Sequence, residues 1–427
     1  MNDIKDIIIN PKTLKGQIKI PPSKSLSHRA IIAGALSKGR CKIDNLIYSK
    51  DIIATIEIMK NLGAKITKEK DYVIIDGIDE IKPIKANLFC NESGSTLRFL
   101  IPLASLFAGN IEYEGINSLK TRPITPYIDI FENQKLNFSY DGSLPLILND
   151  SIKAGEFNIK GDISSQFITG LLYTLPLLKE DSIINIIGKL ESKAYVDLTL
   201  DVLKEYEIDI DIIKKDDEYR GFKIKGNQIY KNKDYKVEGD YSQGAFFIVL
   251  GVLCGDIDCL DLKPNSLQAD KEVLDIIKKM GAKYEIIKDR VILQKSKTKG
   301  IKIDASNCPD IIPVLSVLAA LSEGKTTIYN GKRLRIKESD RIKSTVAMLK
   351  NLGADIEETD DGMIIYGKEE LEGGEVDSFN DHRIVMSAAI ASCKCKNSVK
   401  IKNYKAIDKS YPSFFEDFKS LGGVING

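Results

Sequence analysis

KNLGAKI, residues 60–66, closes an apolar helical pattern with a glycine and reopens as a β-rich stretch. The same form returns as KKMGAKY (278–284), KNLGADI (350–356) and KSLGGVI (419–425). NQKLNFSY (133–140) and KEYEIDI (204–210) are degenerate copies. With Gly63, Lys135, Glu207, Gly281, Gly353 and Gly422 taken as equivalent, successive copies lie 69 to 74 residues apart. Each copy reads as a helix end, a glycine stop and a following strand. The first shows this in full: DIIATIEIMKNLG has apolar residues at helical spacing, and YVIID (72–76) follows as a strand. One unit of helices on a sheet leaves its helix faces partly uncovered, so several units must share cores. Six units predict an α/β (α+β) protein of two similar domains with three units each. A solenoid is disfavoured, because its periods are shorter.

The length of 427 residues also exceeds what a single core supports. Segment 226–240 is polar, and a new apolar helix pattern starts at 245, which puts a boundary near the end of the third repeat. The strand around IKI (18–20) precedes the first complete unit, and the last unit lacks a partner of that kind. Residues 1–20 are therefore expected to join the C-terminal domain, so that the chain crosses between domains twice. The expected division is 21–237 for one domain, and 1–20 plus 238–427 for the other.

The bulk numbers exclude several classes of function. Lys and Arg (62) nearly cancel Asp and Glu (61), leaving a net charge of +1. No global field would gather nucleic acid or a membrane surface. The opening MNDIKDIIINPKTLKG carries acids and no long apolar core, which does not fit a secretory signal. The longest apolar runs, such as GAFFIVLGVLCG (244–255), fall short of the ~20 residues of a membrane span. Seven scattered cysteines and two histidines supply no zinc-type ligand set, and a reduced, cytoplasmic setting is expected. Only 10 of the 62 basic residues are arginine, so each arginine invites a reason. A guanidinium grips carboxylate or phosphate with two parallel bonds, which lysine cannot copy.

Five polar stretches interrupt the apolar pattern: PPSKSLSHR (21–29), NESGSTLRF (91–99), SSQF (164–167) with ESKAYVD (191–197), RLRIKESDR (333–341) and NDHR (380–383). Each has a bland reading. Ser25 or Ser27 can be a plain N-cap, KESDR a solvated face, and His28 and His382 surface or satisfied core residues. Their recurrence at helix starts, once in most units, points further. Hydroxyls, glycines and cations at helix N-termini are how such a fold would converge several anion sites on one cleft. The residues alone suggest an enzyme or binder of a small, multiply anionic ligand.

These stretches, with TRPITP (121–126), EGD (238–240) and DKSYP (408–412), resemble the 5-enolpyruvylshikimate-3-phosphate synthases over nearly the full length. The resemblance implies two domains, each of three βαβαββ units around a pseudo-threefold axis, an inside-out α/β barrel with the site between domains that close on substrate. It implies transfer of the enolpyruvyl group of phosphoenolpyruvate to the 5-hydroxyl of shikimate 3-phosphate. No metal or organic cofactor is implied, and a monomer is expected. By the same resemblance, Ser25 and Arg29 meet the shikimate carboxylate, while Ser164, Ser165, Ser192 and Lys337 meet its phosphate. Lys24, Gln166, Tyr195 and Asp310 complete that site, Lys24 facing both substrates. Lys24, Gly94, Arg122, Gln166, Arg341, Arg383 and Lys409 match the phosphoenolpyruvate site. Asp310 matches the base, and Glu338 with Lys24 the proton carriers at the methylene carbon. Ser27 is left as the plain cap and His28 without a role. Arg333, Glu92 and Phe99 depart from the family pattern. The alternatives are a UDP-N-acetylglucosamine enolpyruvyl transferase, which carries a Lys-Asn pair where this chain has Lys24-Ser25, and a non-catalytic anion-binding repeat protein.

Overall fold

The structure, a computed structural model, describes residues 6–426. Contacts divide the chain into two compact units. One holds the chain up to Ser23 and from Glu238 onward, and the other is Lys24–Val237. Residues 21–23, expected with the N-terminal domain, belong instead to the first of these. Pro22 bridges to Gly239 and the Ser23 N–H bonds the Glu238 carbonyl, so the chain changes unit only at Lys24.

Among the described residues, six four-stranded sheets build the two units. The second repeat shows the pattern. Strand Ile84–Phe89 runs parallel to Ala108–Glu114, with Leu88 opposite Tyr113. Leu146–Leu148 follows antiparallel, with Phe138–Ser139 outermost. Helix Gly94–Ser105 joins the parallel pair, and helix Thr125–Asn133 leads to the antiparallel pair. Because the parallel strands point the same way, both helices start at the same edge of the sheet. That edge is where the polar motifs fall.

Three sheets borrow a strand from elsewhere in the chain. Tyr235–Lys236 completes the first repeat beside Arg40–Asp44. Gly16–Lys19 pairs with Ile257–Leu260, with Ile18 opposite Cys259, to complete the fourth. Asp6–Asn10 sits inside the last sheet, between Val399–Lys402 and Val424–Asn426. The stretch around IKI is thus a strand of the fourth repeat, and a separate strand fills the last.

The helices divide by pattern. Tyr241–Cys254, Ile312–Ala320 and His382–Ala391 are buried at every residue and pack on one another. A helix apolar all round can sit only at a centre. Lys24–Leu36, Gly94–Ser105 and Ser165–Thr174 take the same place in the other unit. The second helix of each repeat keeps part of its surface in solvent, as Lys50–Asn61 does at Lys50, Glu57 and Asn61 while Ile52, Ile56 and Met59 are buried.

The six equivalent positions are one structural feature. Gly63, Lys135, Glu207, Gly281, Gly353 and Gly422 all have φ between 54° and 112°. Each stands two residues past the end of a second helix. After Lys50–Asn61, the Gly63 N–H bonds the Lys60 carbonyl and the Ala64 N–H bonds Met59. The same pair of bonds recurs at all six, which is the Schellman stop. The degenerate copies at Lys135 and Glu207 are therefore true copies in structure. All seven cysteines are buried and unpaired.

Candidate active site

The unit Lys24–Val237 gathers cations at helix starts. Helix Lys24–Leu36 begins at Lys24, so Ser25 and Ser27 lie inside its first turn and Ser23 precedes it. Neither serine is the expected N-cap, and Ser27 is fully buried. Lys24 Nζ lies 3.0 Å from Asp51 Oδ2. Arg29 is buried, and protein oxygens hold its guanidinium on three sides. Nε donates to Thr199 Oγ1 at 2.9 Å, and the two Nη atoms donate to the Ser25 carbonyl at 2.8 Å and the Tyr195 carbonyl at 2.9 Å. Its face lies over the Phe99 ring at 5.0 Å. No acidic group is among those acting on it, and burial lowers its pKa. A buried cation held by neutral oxygens alone keeps its full charge, which favours an anion beside it.

Gly94 opens helix Gly94–Ser105, with Ser93 as the cap accepting from the Thr96 N–H at 3.1 Å. A Cβ on Gly94 would stand 2.6 Å from Arg122 Nη1. With glycine here, the guanidinium packs directly against the backbone; any side chain would push it aside. The Arg122 guanidinium has no hydrogen-bond or ion-pair partner among the described residues, and its Nε is buried. A bare guanidinium beside a helix N-terminus makes an anion site with two positive contributions.

Gln166 is oriented from both sides. Arg98 Nη1 donates to Gln166 Oε1 at 2.9 Å, and Gln166 Nε2 donates to Ser95 Oγ at 2.9 Å. Arginine can only donate, so this contact fixes which end of the amide is which. Arg98 stands in NESGSTLRF as one of the few arginines in polar stretches, but it carried no assigned role in the sequence. Ser164 caps helix Ser165–Thr174 through the Gln166 N–H at 3.3 Å, and Ser165 is buried. Ser192 holds φ 54° and ψ 40° at the start of helix Lys193–Glu205 without capping it. A serine held left-handed there costs about 1–3 kcal/mol, which the surrounding structure must supply. Tyr195, one turn on, enters through its carbonyl contact with Arg29.

The other unit centres on carboxylates. Asp310, in the turn Pro309–Ile311, accepts from Arg341 Nη1 at 2.6 Å and Lys337 Nζ at 3.3 Å on the same oxygen. Arg383 Nη2 lies 3.8 Å from its other oxygen. Burial alone would raise the Asp310 pKa. The charges of Lys337, Arg383 and Arg341 outweigh it and hold the carboxyl well below the usual range. Burial pushes Lys337 down to about 8, against the pull of Asp310.

Arg341 is buried among three acids. Nε meets Asp381 Oδ2 at 2.8 Å, Nη1 meets Asp310, and Nη2 meets Glu338. An anion reaching Arg341 must replace one of these carboxylates. Asp381 also caps helix His382–Ala391 through the Arg383 N–H at 2.9 Å, tying NDHR to KESDR. Lys409 Nζ donates to the Asn380 carbonyl at 2.6 Å, drawing DKSYP to the same loop. Asp270, which the motif reading passed over, is buried against the Ser242 hydroxyl. Burial and the charge of Asp310 push its carboxyl up to about 6. Arg335, by contrast, pairs with Asp340 at 3.0 Å and Glu358 at 2.8 Å on the surface and belongs to neither group.

The fold is one of six repeats in two units, and the unit from Glu238 onward sets paired carboxylates among fixed cations, an arrangement suited to acid–base chemistry on small anions. The family model for EPSP synthase (3-phosphoshikimate 1-carboxyvinyltransferase) matches residues 8–418, and the chain belongs to that family. It is 53% identical over 99% of its length to the full 3-phosphoshikimate 1-carboxyvinyltransferase of Clostridium perfringens (strain ATCC 13124). The enzyme of that name from Clostridium novyi (strain NT) is 49% identical, with 99% of each chain covered. Among solved structures, EPSP synthase from Acinetobacter baumannii matches with a TM-score of 0.81 at 25% identity, covering 99% of this chain and all of that one.

Proposed function

We propose that the protein transfers the enolpyruvyl group of phosphoenolpyruvate to the 5-hydroxyl of shikimate 3-phosphate and releases phosphate. Family membership supports the activity. The observation that carries the residue roles is Asp310, an ionised carboxylate set among Lys337, Arg341 and Arg383 with Glu338 on the same arginine.

In this reading Ser25 and Arg29 take the shikimate carboxylate, and Ser164, Ser165, Ser192 and Lys337 take its phosphate. Gln166 and Tyr195 frame the ring. Lys24, Arg122, Arg341, Arg383 and Lys409 take the phosphate and carboxylate of phosphoenolpyruvate, with Lys24 and Gln166 shared by both substrates and Gly94 leaving room. Asp310 removes the proton of the 5-hydroxyl as its oxygen attacks the second carbon of phosphoenolpyruvate. Glu338 with Lys24 delivers a proton to the methylene carbon, giving a tetrahedral ketal. Loss of a methyl proton and of phosphate, which keeps the bridging oxygen, regenerates the double bond. Every charge that moves does so against groups already fixed in place, which is where electrostatic catalysis is largest. The protein is read as a cytoplasmic monomer; among the described residues no helix is long and apolar enough to cross a membrane.

The test is phosphate release from phosphoenolpyruvate with shikimate 3-phosphate as acceptor and UDP-N-acetylglucosamine as control. Release with the first alone is expected. Release only with the second, or with neither, would sink the assignment.

A further inference from the structure

Helix Lys24–Leu36 and the turn at Ser93 are joined by a chain of buried side chains for which the substrate roles above have no use. His28 Nδ1 lies 2.8 Å from Thr55 Oγ1, and Thr55 Oγ1 lies 2.8 Å from Thr96 Oγ1. Thr96 Oγ1 is 2.6 Å from Ser93 Oγ, with the Asp51 carbonyl as a longer acceptor at 3.4 Å. All four residues are completely shielded from solvent. Edge-on packing against Phe99, at 6.4 Å between ring centres and 87° between planes, fixes the imidazole.

Counting protons gives the chain a direction. Burial, then the charges of Lys24 and Arg29, hold the His28 pKa well below its ordinary value, so the ring is neutral with one N–H. Nε2 is buried without a partner. A proton there would be a stranded donor, which is costly, so the N–H sits on Nδ1. His28 then donates to Thr55, Thr55 to Thr96, and Thr96 to Ser93. Ser93 Oγ accepts in addition from the Thr96 N–H. The cap that sets the direction of the Gly94 backbone is thereby anchored in the helix that carries Lys24.

We propose that His28 is a positioning residue for the phosphoenolpyruvate site, fixing the Ser93–Gly94 turn through Thr55 and Thr96. This rests on the reading of Gly94 and Arg122 as that site. Arg29, one residue on, is held by its own bonds to Thr199, Ser25 and Tyr195, so the shikimate side does not depend on the chain.

The experiment is steady-state kinetics with both substrates varied, on wild type, His28→Leu, Thr55→Val, the double variant and His28→Asn. Thr55→Val keeps shape and removes only the hydroxyl, so it stands if His28→Leu folds poorly. Each single variant is expected to raise KM for phosphoenolpyruvate about two- to tenfold, the size of one buried hydrogen bond. KM for shikimate 3-phosphate should stay within about twofold. The double variant should be no worse than either single one, because both cut the same chain. Asparagine, whose amide N–H can take the place of Nδ1, should restore the wild-type KM. Unchanged KM for phosphoenolpyruvate, equal rises for both substrates, or additive effects would overturn the proposal. A wild type that releases no phosphate from the two substrates would overturn the underlying reading instead.

Discussion

Asp310 carries two demands that pull apart. A base must be ionised before the substrate arrives, and it must be basic enough to take a proton afterwards. Three neighbouring cations meet the first demand and oppose the second. Substrate anions that engage Lys337, Arg383 and Arg341 would neutralise them and return basicity to Asp310 at the moment it is needed. Asp310→Asn and Glu338→Gln should fold and bind shikimate 3-phosphate, while kcat falls about 10²–10⁴-fold, the usual worth of a general acid or base. Calorimetric binding beside turnover checks this, and near-normal turnover in either would remove that residue's role. Lys337 makes the pH dependence explicit. With its pKa near 8, its charged form is full below that pH and lost above it. Log kcat/KM for shikimate 3-phosphate should therefore fall above about pH 8. Lys337→Arg should move that limb upward by more than a unit, since guanidinium stays charged. An alkaline limb unmoved in the arginine variant would mean another group titrates there.

At the scale of the element, the helix stop explains both what the repeat pattern reveals and where it fades. Four copies carry glycine and are plain in the sequence, whereas Lys135 and Glu207 hold the same left-handed backbone without it. Their only sequence trace is the constant spacing. A side chain in that conformation costs about 1–2 kcal/mol, partly offset by the extra chain entropy of glycine. Glu207→Gly should then stabilise the unit Lys24–Val237 by about 0.5–1 kcal/mol, seen in scanning calorimetry as an upward shift of its transition. Gly281→Ala should cost about 1 kcal/mol in the other unit. Nothing crowds that site, where the nearest atom is the Lys297 carbonyl oxygen at 3.7 Å, so backbone strain alone sets the loss. A destabilised Glu207→Gly would contradict the strain account. The cations and hydroxyls of the site were legible because they cluster at helix starts. The acids that hold them were harder to read: Asp51 sits within an ordinary amphipathic helix, and Asp381 in NDHR looks like a plain helix cap until Arg341 is seen beside it. Ser25 and Ser27 are not the caps they resemble, because the helix already starts at Lys24, two residues before a cap at Ser25 would start it.

For the whole molecule, the two borrowed N-terminal strands matter most. Asp6–Asn10 has strands on both sides, and Gly16–Lys19 completes the sheet of the fourth repeat. Removing the first 20 residues should leave the unit from Glu238 onward without a complete core, giving insoluble protein. A soluble, active truncation would show these strands to be dispensable. The sequence placed the N-terminal segment with the C-terminal domain, because one unit lacked a strand. It did not show that two strands go to two different sheets, since pairing across almost 400 residues leaves no local signal. The fate of the bridging oxygen of phosphoenolpyruvate separates addition and elimination from phosphoryl transfer. With that oxygen labelled and shikimate 3-phosphate as acceptor, addition and elimination must place the label in the released phosphate. The product must be the enolpyruvyl ether. Label retained on the three-carbon fragment, with the phosphoryl group transferred to the acceptor, would contradict the account.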